Sequence, residues 1–308
     1  MKQRDAAVVG EVYVDHVFTG FQSWPKPGEE VFTSQYTQEL GGGGAITACA
    51  LAKLGRSVSL IGVVGSEERP WLDRKFAGFG VLIDNLYSNS GRTGVTVSLS
   101  TTEDRSFFTY AGENVRLEDH LQGEKIIDSL VAARHVHFAM PLKVSTARRL
   151  FPILSAAGCT VSLDVGHHEE WLCDPINRST CAAVDYFLLN EHEAEMISGV
   201  SSEPYLDFTR HSGWRNGIVK LGPRGAAMRQ AEHTWWVKSP VVDVVDTTGA
   251  GDAFDAGFID GLLDEASGEI CLRRGCVCGS LSVRVAGALL GLPDRKKLQE
   301  LYEQSYGT

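Results

Sequence analysis

Short apolar runs rich in Val, Ile, Leu and Phe recur along the chain at 6–9, 58–64, 135–139, 160–165, 186–189 and 217–221, and longer segments of helical period separate them. Apolar runs of this length bounded by turn residues read as strands buried on both faces, and strands alternating with helices predict βαβ units. The expected architecture is α/β in three layers, a mostly parallel central sheet between helices, with ligands beyond the carboxyl ends of the strands. Two stretches break the alternation. Residues 12–38 carry Pro25, Pro27 and Gly28 between strand-like runs, and 93–110 reads as a hairpin in which 95–100 and 105–110 are joined through 101–104. Both predict antiparallel strands that leave the main sheet as a small β-sheet lid, drawn from about 11–40 and 93–112. A further alternating run, 241–245, reads as a strand leading into a helix. No repeat, low-complexity run or linker interrupts the pattern, so 1–308 is expected to form one domain.

Composition narrows what such a fold can meet. With 43% hydrophobic residues over 308 positions, a core without metal or disulfide support is expected. Twenty-nine Lys and Arg against thirty-nine Asp and Glu leave a formal charge of -10, which repels nucleic acid and anionic lipid, so neither is an expected partner. The first ten residues lack the apolar core of a secretory signal, and no run approaches the ~20 apolar residues of a membrane span. Seven scattered cysteines, an odd number, read as reduced thiols and a cytoplasmic location. Cys276 and Cys278 have the wrong spacing for a zinc knuckle.

The sharpest chemical signal is DTTGAGDAFDAGF at 246–258. Small residues at 249–251, at the start of a helical pattern, let backbone amides and the positive end of the helix dipole face an anion. Asp252 follows at once, placed to accept a proton from an attacking hydroxyl while the amides stabilise a transferring phosphoryl group.

This segment resembles the carboxy-terminal signature of the PfkB family of carbohydrate kinases, the ribokinase-like superfamily, whose motif is D-T-x-G-A-G-D. The resemblance implies a ribokinase-like fold and an ATP-dependent transfer of a phosphoryl group to a hydroxyl of a sugar or sugar-derived molecule. Asp252 is then the general base, with Gly249, Ala250 and Gly251 as the anion hole and Thr247 on the nucleotide side. VVGEVYVD at 8–15 is similar to the family's first strand, whose last Asp binds substrate hydroxyls, which falls on Asp15. LGGGGAITACALAKLG at 40–55 resembles the amino-terminal signature and assigns Gly41, Gly42, Gly43 and Ile46 to the substrate; the family usually has Asn where Ile46 stands, so the acceptor is expected to differ from ribose. Nothing polar at Met140 and Pro141 points the same way.

NEHE at 190–193 resembles the family's N-x-x-E element, implying Asn190 and Glu193 at the phosphates, with Glu193 holding Mg2+ through water. GIVKLGPRGA at 217–226 resembles the nucleotide-side strand and turn, implying cofactor contacts from Lys220, Gly222 and Gly225. RGCVCGSLSV at 274–283 corresponds to the adenine-flanking helix, with Cys276 where Asn is common. By the same resemblance Asp246 is a candidate site for a monovalent cation such as K+, and a homodimer through the lid is expected. DVGHHEEW at 164–171 departs from the family's D-x-N-x-R and reads as a solvated loop with Asp164 near the site. His135 and His137 read as satisfied structural histidines in a strand, and Trp235 and Trp236 as packing. Two other readings remain: a nucleoside or vitamin-precursor kinase of the same superfamily, and a non-catalytic sugar-binding or regulatory protein on this scaffold.

Overall fold

The computed structural model describes residues 2–101, 105–230 and 232–307. Its strands in chain order are β1 (Arg4–Gly10), β2 (Tyr13–Phe21), β3 (Gln35–Gly41), β4 (Val58–Gly65), β5 (Leu82–Asn89), β6 (Gly94–Thr101) and β7 (Arg105–Tyr110). There follow β8 (Ala133–Ala139), β9 (Thr160–Asp164), β10 (Tyr186–Asn190), β11 (Asn216–Lys220), β12 (Ala226–Gln230) and β13 (His233–Val237). Among the described residues these make a nine-stranded sheet, ordered β13-β12-β11-β10-β9-β8-β1-β4-β5, and a separate four-stranded sheet, β3-β2-β6-β7. The large sheet is parallel from β11 to β5, and its last two strands turn back antiparallel.

The two-residue period of the strands feeds two cores. In β1, Ala7 and Val9 pack on one face with residues of the helices Glu124–Val131 and Val144–Ala156, while Ala6 and Val8 pack on the other with the helices Gly43–Lys53 and Ala250–Leu263. Every run expected as a central strand is one. The expected lid is the small sheet, in which β2 pairs with β3 antiparallel and with β6 parallel. Its hairpin turn lies largely outside the described residues.

Three segments depart from the sequence reading. β5 and β12 were not read as strands from pattern: LIDNLYSN mixes polar and apolar residues at the sheet edge, where only one face needs covering, whereas AAMRQ, although almost wholly buried, is five residues long and ends in Arg and Gln. Residues 241–245 form no strand: Val241 is fully exposed, Val244 and Val245 largely so, and the Val245 and Asp246 amides donate to the single carbonyl of Val283 rather than to a neighbouring strand. The alternation there lacks a sheet to pair with. All seven cysteines are free, and among the described residues no helix is long and apolar enough to cross a membrane.

Candidate active site

The Ala250–Leu263 helix begins at Gly249, which adopts φ 72°, a left-handed conformation open to glycine at little cost. Helix geometry leaves the first amides without intrahelical acceptors. Ala250 spends its amide on the Thr247 carbonyl at 3.2 Å, so of the three residues assigned to the anion hole, Gly249 and Gly251 are the better donors. The preceding loop is fastened by Asp246, whose Oδ1 accepts from the Thr248 amide (2.8 Å) and Oδ2 from the Gly287 amide (2.9 Å).

Asp252 sits in the first turn, next to the glycine loop. A Cβ placed on Gly43 would stand 3.0 Å from its Oδ1, tighter than ordinary contact, so glycine allows this approach without displacing the carboxylate. The Thr47 hydroxyl, on the helix that follows the loop, lies 3.4 Å from the Asp252 carbonyl and ties the two glycine-rich segments together. Burial, then repulsion from Asp164, pushes the Asp252 carboxyl up to about 7, against the opposing pull of Lys220. A carboxylate raised to that range is an effective proton acceptor near neutral pH.

Beneath the helix start lies a buried charge cluster. Lys220, at the end of β11, bonds Asp164 at the end of β9 and lies 3.2 Å from Asp255 Oδ1, while a Cβ on Gly251 would stand 3.4 Å from its Nζ. The ammonium therefore lies between two carboxylates and the anion hole. Burial works against both charges of the Lys220–Asp164 pair and is the largest single influence on each, but the neighbours together outweigh it: Lys220, with hydrogen bonds from Asp255 and the Gly166 amide, holds Asp164 down to about 2, and Asp164, Asp255 and Glu193 raise Lys220. Asp255 is fully buried, its acid raised chiefly by desolvation, and its Oδ2 has no hydrogen-bond partner among the described residues. Nor does His137 Nε2, 3.9 Å away. His135 is satisfied by Thr160 and Ser162, but His137 is bonded through Nδ1 alone, which corrects the expectation that both are saturated. Asp255 was missed as a site residue, although its i+3 spacing from Asp252 on a helix was a usable signal.

On the acceptor side, Asp15 points at Gly41, where any side chain would overlap its carboxylate, and it pairs across the small sheet with Glu39 and Thr96. Burial, then proximity to Glu39, raises it to about 6, although Thr96 bonds the carboxylate. Gly42 abuts the Glu11 carbonyl, and Tyr13 covers Gly94 beside Asn114, whose amide is fixed by the Val12 N–H and C=O, both at 3.0 Å. Ile46 is only 4% exposed and packs under the anion hole, its Cδ1 3.4 Å from a Cβ position on Gly249, so it forms floor rather than a polar contact.

The remaining assigned residues are more dispersed. Asn190 caps the Glu191–Ser198 helix, and Glu193 returns both carboxylate oxygens to Asn190, Oε2 to its amide and Oε1 to its side chain. Glu193 still belongs to the cluster electrostatically, raised by burial and then by Asp164. Gly222 and Gly225 shape the turn between β11 and β12, and Thr247 is exposed on the loop before the helix. Cys276 is buried against Tyr306 and Ser239 in a separate apolar cluster with Ile218, Met228, Phe254 and Phe258. Trp235 packs on that core, whereas Trp236 is half exposed. In the 164–171 loop His167 lies 3.3 Å from Glu169 and stacks near His192.

Comparison with known proteins bears on this geometry. Residues 3–295 match the model for the pfkB family carbohydrate kinase. A ribokinase from Arabidopsis thaliana is 29% identical over 97% of this chain and 81% of its own length, and a 2-dehydro-3-deoxygluconokinase from Bacillus subtilis is 27% identical over 86% and 87%. The solved structure of Arabidopsis thaliana ribokinase complexed with ribose and ATP superposes with a TM-score of 0.86 at 27% identity, covering 97% of this chain and 99% of that one.

Proposed function

The chain belongs to the pfkB family of carbohydrate kinases, and from that premise we propose that it moves the γ-phosphoryl group of ATP to a hydroxyl of a sugar or sugar-like acceptor, with Asp252 as the base. The observation that carries this is the meeting of four parts at one helix start: the Asp252 carboxylate against Gly43, the amides of Gly249 and Gly251, and Lys220 beside Gly251. An acceptor hydroxyl lying between Asp15 and Asp252 loses its proton to Asp252 as its oxygen attacks phosphorus, and the amides with Lys220 take up the charge on the transferring group. Asn190 and Glu193, already paired with each other, would hold Mg2+ through its waters by their remaining oxygen lone pairs, and the ion would supply charge neutralisation on the phosphates. Asp246 and Glu39, flanking the loop at Gly287, are the corresponding donors for a monovalent cation.

The small sheet closes this site against water, and Phe108 and Tyr110, which alternate onto one face of β7 and are more than half exposed, offer that face to a second copy of the chain. Unpaired cysteines suit a cytoplasmic location.

Measuring ADP release from Mg·ATP across sugars, sugar acids and nucleosides tests the reading. Release with a sugar supports it, and release with nucleosides alone favours the nucleoside-kinase alternative. Ligand-raised melting temperatures without ADP from any acceptor would mark a non-catalytic binder. The pH dependence gives a second check. Because Asp252 must be ionised to act and its carboxyl stands at about 7, kcat/KM should fall as pH drops below about 7, and more steeply below about 6 as Asp15 also protonates. A flat profile down to pH 5 would remove Asp252 as the base.

A further inference from the structure

The proposed chemistry gives no task to Asp255, although it is fully buried and lies one turn along the helix from Asp252. A carboxyl carried into a core is costly unless its oxygens find partners, and Oδ2 finds none among the described residues. Facing that oxygen is His137, whose Nε2 stops 3.9 Å away and is equally unbonded. Ser162 holds the other ring nitrogen at 2.8 Å, and burial lowers the imidazole to about 4, so it carries no charge at neutral pH. An apolar side chain in place of Asp255 would avoid the cost, so its use lies with the other oxygen.

Oδ1 lies 3.2 Å from the Lys220 ammonium. A lysine has a flexible four-carbon stem and holds its charge where the surrounding acceptors dictate. Here they come from two sides. Asp164, at the end of β9, bonds Lys220, and Glu193 attracts it, whereas Asp255 approaches from the Ala250–Leu263 helix, whose first turn carries Gly251. A Cβ on Gly251 would stand 3.4 Å from Nζ, so the ammonium held between the two sides lies against the anion hole. Without the helix-side oxygen, only Asp164 and Glu193 pull, and the ammonium is drawn away from Gly251. Asp255 does this without cancelling the charge. It shares a hydrogen bond with Asp164, which requires one proton between the two carboxyls; the neighbours keep Asp164 ionised and burial raises Asp255, so the proton stays on Asp255. A neutral acid accepts from Lys220 through a lone pair and leaves the positive charge for the phosphoryl group.

We propose that Asp255 is a positioning residue for phosphoryl transfer, which fixes the Lys220 ammonium against Gly251 from the helix side and acts on the reaction through Lys220 alone. This rests on the kinase reading above and adds to it a group that its burial keeps out of reach of either substrate.

The test uses the full-length protein with Mg·ATP and the acceptor that gives the fastest ADP release. Asp255→Leu keeps the branched shape and removes both oxygens; it should lower kcat by about a hundredfold, with KM for the acceptor within about threefold of the parent. Asp255→Asn should recover about tenfold of that loss, because its amide oxygen accepts from Lys220 and its N–H stands in for the shared proton. Adding Asp255→Leu to Lys220→Met should cost no more than about threefold beyond Lys220→Met alone, since the two side chains act as one unit. A side chain needed only for packing would instead multiply the two losses and leave Asn no better than Leu. Either of those results, or parental kcat in Asp255→Leu, overturns the proposal and leaves the kinase reading intact. Where Lys220→Met is too slow to read, the Asn recovery decides; where melting curves show that Asp255→Leu does not fold, Asp255→Ala replaces it with the same expectations. ADP release by the parent with no acceptor overturns the kinase reading and this proposal with it.

Discussion

Asp252→Asn should lower kcat by about 10³-fold for whichever acceptor is used, with little change in ATP affinity, because the amide keeps the shape of the side chain and loses the ability to take a proton. Nucleotide binding should survive, since removing a carboxylate that repels Asp164 and Glu193 leaves the Lys220 ammonium and the helix amides in place. The same variant carries a second signature. In the fold the Asp252 carboxyl is raised chiefly by burial to about 7, so ionising it costs the folded state more than the unfolded chain, and stability drains away as pH climbs from the ordinary carboxylate range through 7. At pH 8 Asp252→Asn should therefore melt at a higher temperature than the parent, and below the carboxylate range the two should coincide. Titration calorimetry with ATP, steady-state kinetics and melting curves at pH 8 and at about pH 3, below the carboxylate range, read all three effects. Full activity in the variant, or a lower melting temperature at pH 8, would contradict the placement of this carboxylate.

Asp260→Ala should destabilise the protein by about 3–5 kcal/mol, the cost of deleting one partner from a buried ion cluster. Asp260 is fully buried two turns below Asp252 on the same helix and accepts from three guanidiniums: Arg56 Nε at 2.6 Å, Arg274 Nη1 at 2.7 Å and Arg295, whose Nη1 and Nη2 reach its two oxygens at 2.7 and 2.5 Å. Those arginines come from the turn after the Gly43–Lys53 helix, from Gly268–Ser282 and from Arg295–Tyr306. One carboxylate fastens three segments. Arg56 and Arg274 keep Asp264 as a partner, at 2.6 Å each, and the more exposed Arg295 keeps the Leu54 carbonyl, so the cost of removing Asp260 falls mainly on the two largely buried guanidiniums of Arg56 and Arg274, left with one carboxylate between them. Urea unfolding of the variant checks this, and a loss below about 1 kcal/mol would show that the ring of arginines simply relaxes into solvent.

What could be read from the chain and what could not divides along physical lines. Asp252, its glycines and Asp15 were legible because close backbone approach demands glycine in a fixed order, which leaves a string that chance rarely produces. The central strands were legible because burial on both faces forces unbroken apolar runs. β12 is almost wholly buried as well, but AAMRQ is five residues long and two of them are polar, too short a run to show the pattern. The run at 241–245 alternates like a strand but has no partner, a fact of tertiary context that local pattern cannot carry. The partnership of Lys220 with Asp164 and Asp255 spans 56 and 35 residues, so no motif reveals it; it appears only when β9, β11 and the Ala250–Leu263 helix converge. His137 was misjudged for a related reason, since alternation placed it in a strand without saying that its Nε2 would face Asp255 unbonded.

The division of labour between the two sheets has a bearing on how such a protein diversifies. Glu11, Tyr13, Asp15 and Thr96 belong to the small sheet and the segment entering it, while Asp164, Lys220, Asp252 and Asp255 belong to the large sheet and the helix above it. On the proposed reading, the residues that hold the acceptor and those that move the phosphoryl group lie in separate stretches of the chain, which meet where the Gly43–Lys53 and Ala250–Leu263 helices start side by side. Substitutions in the first stretch would then change which acceptor is taken while leaving the phosphoryl-transfer groups in place.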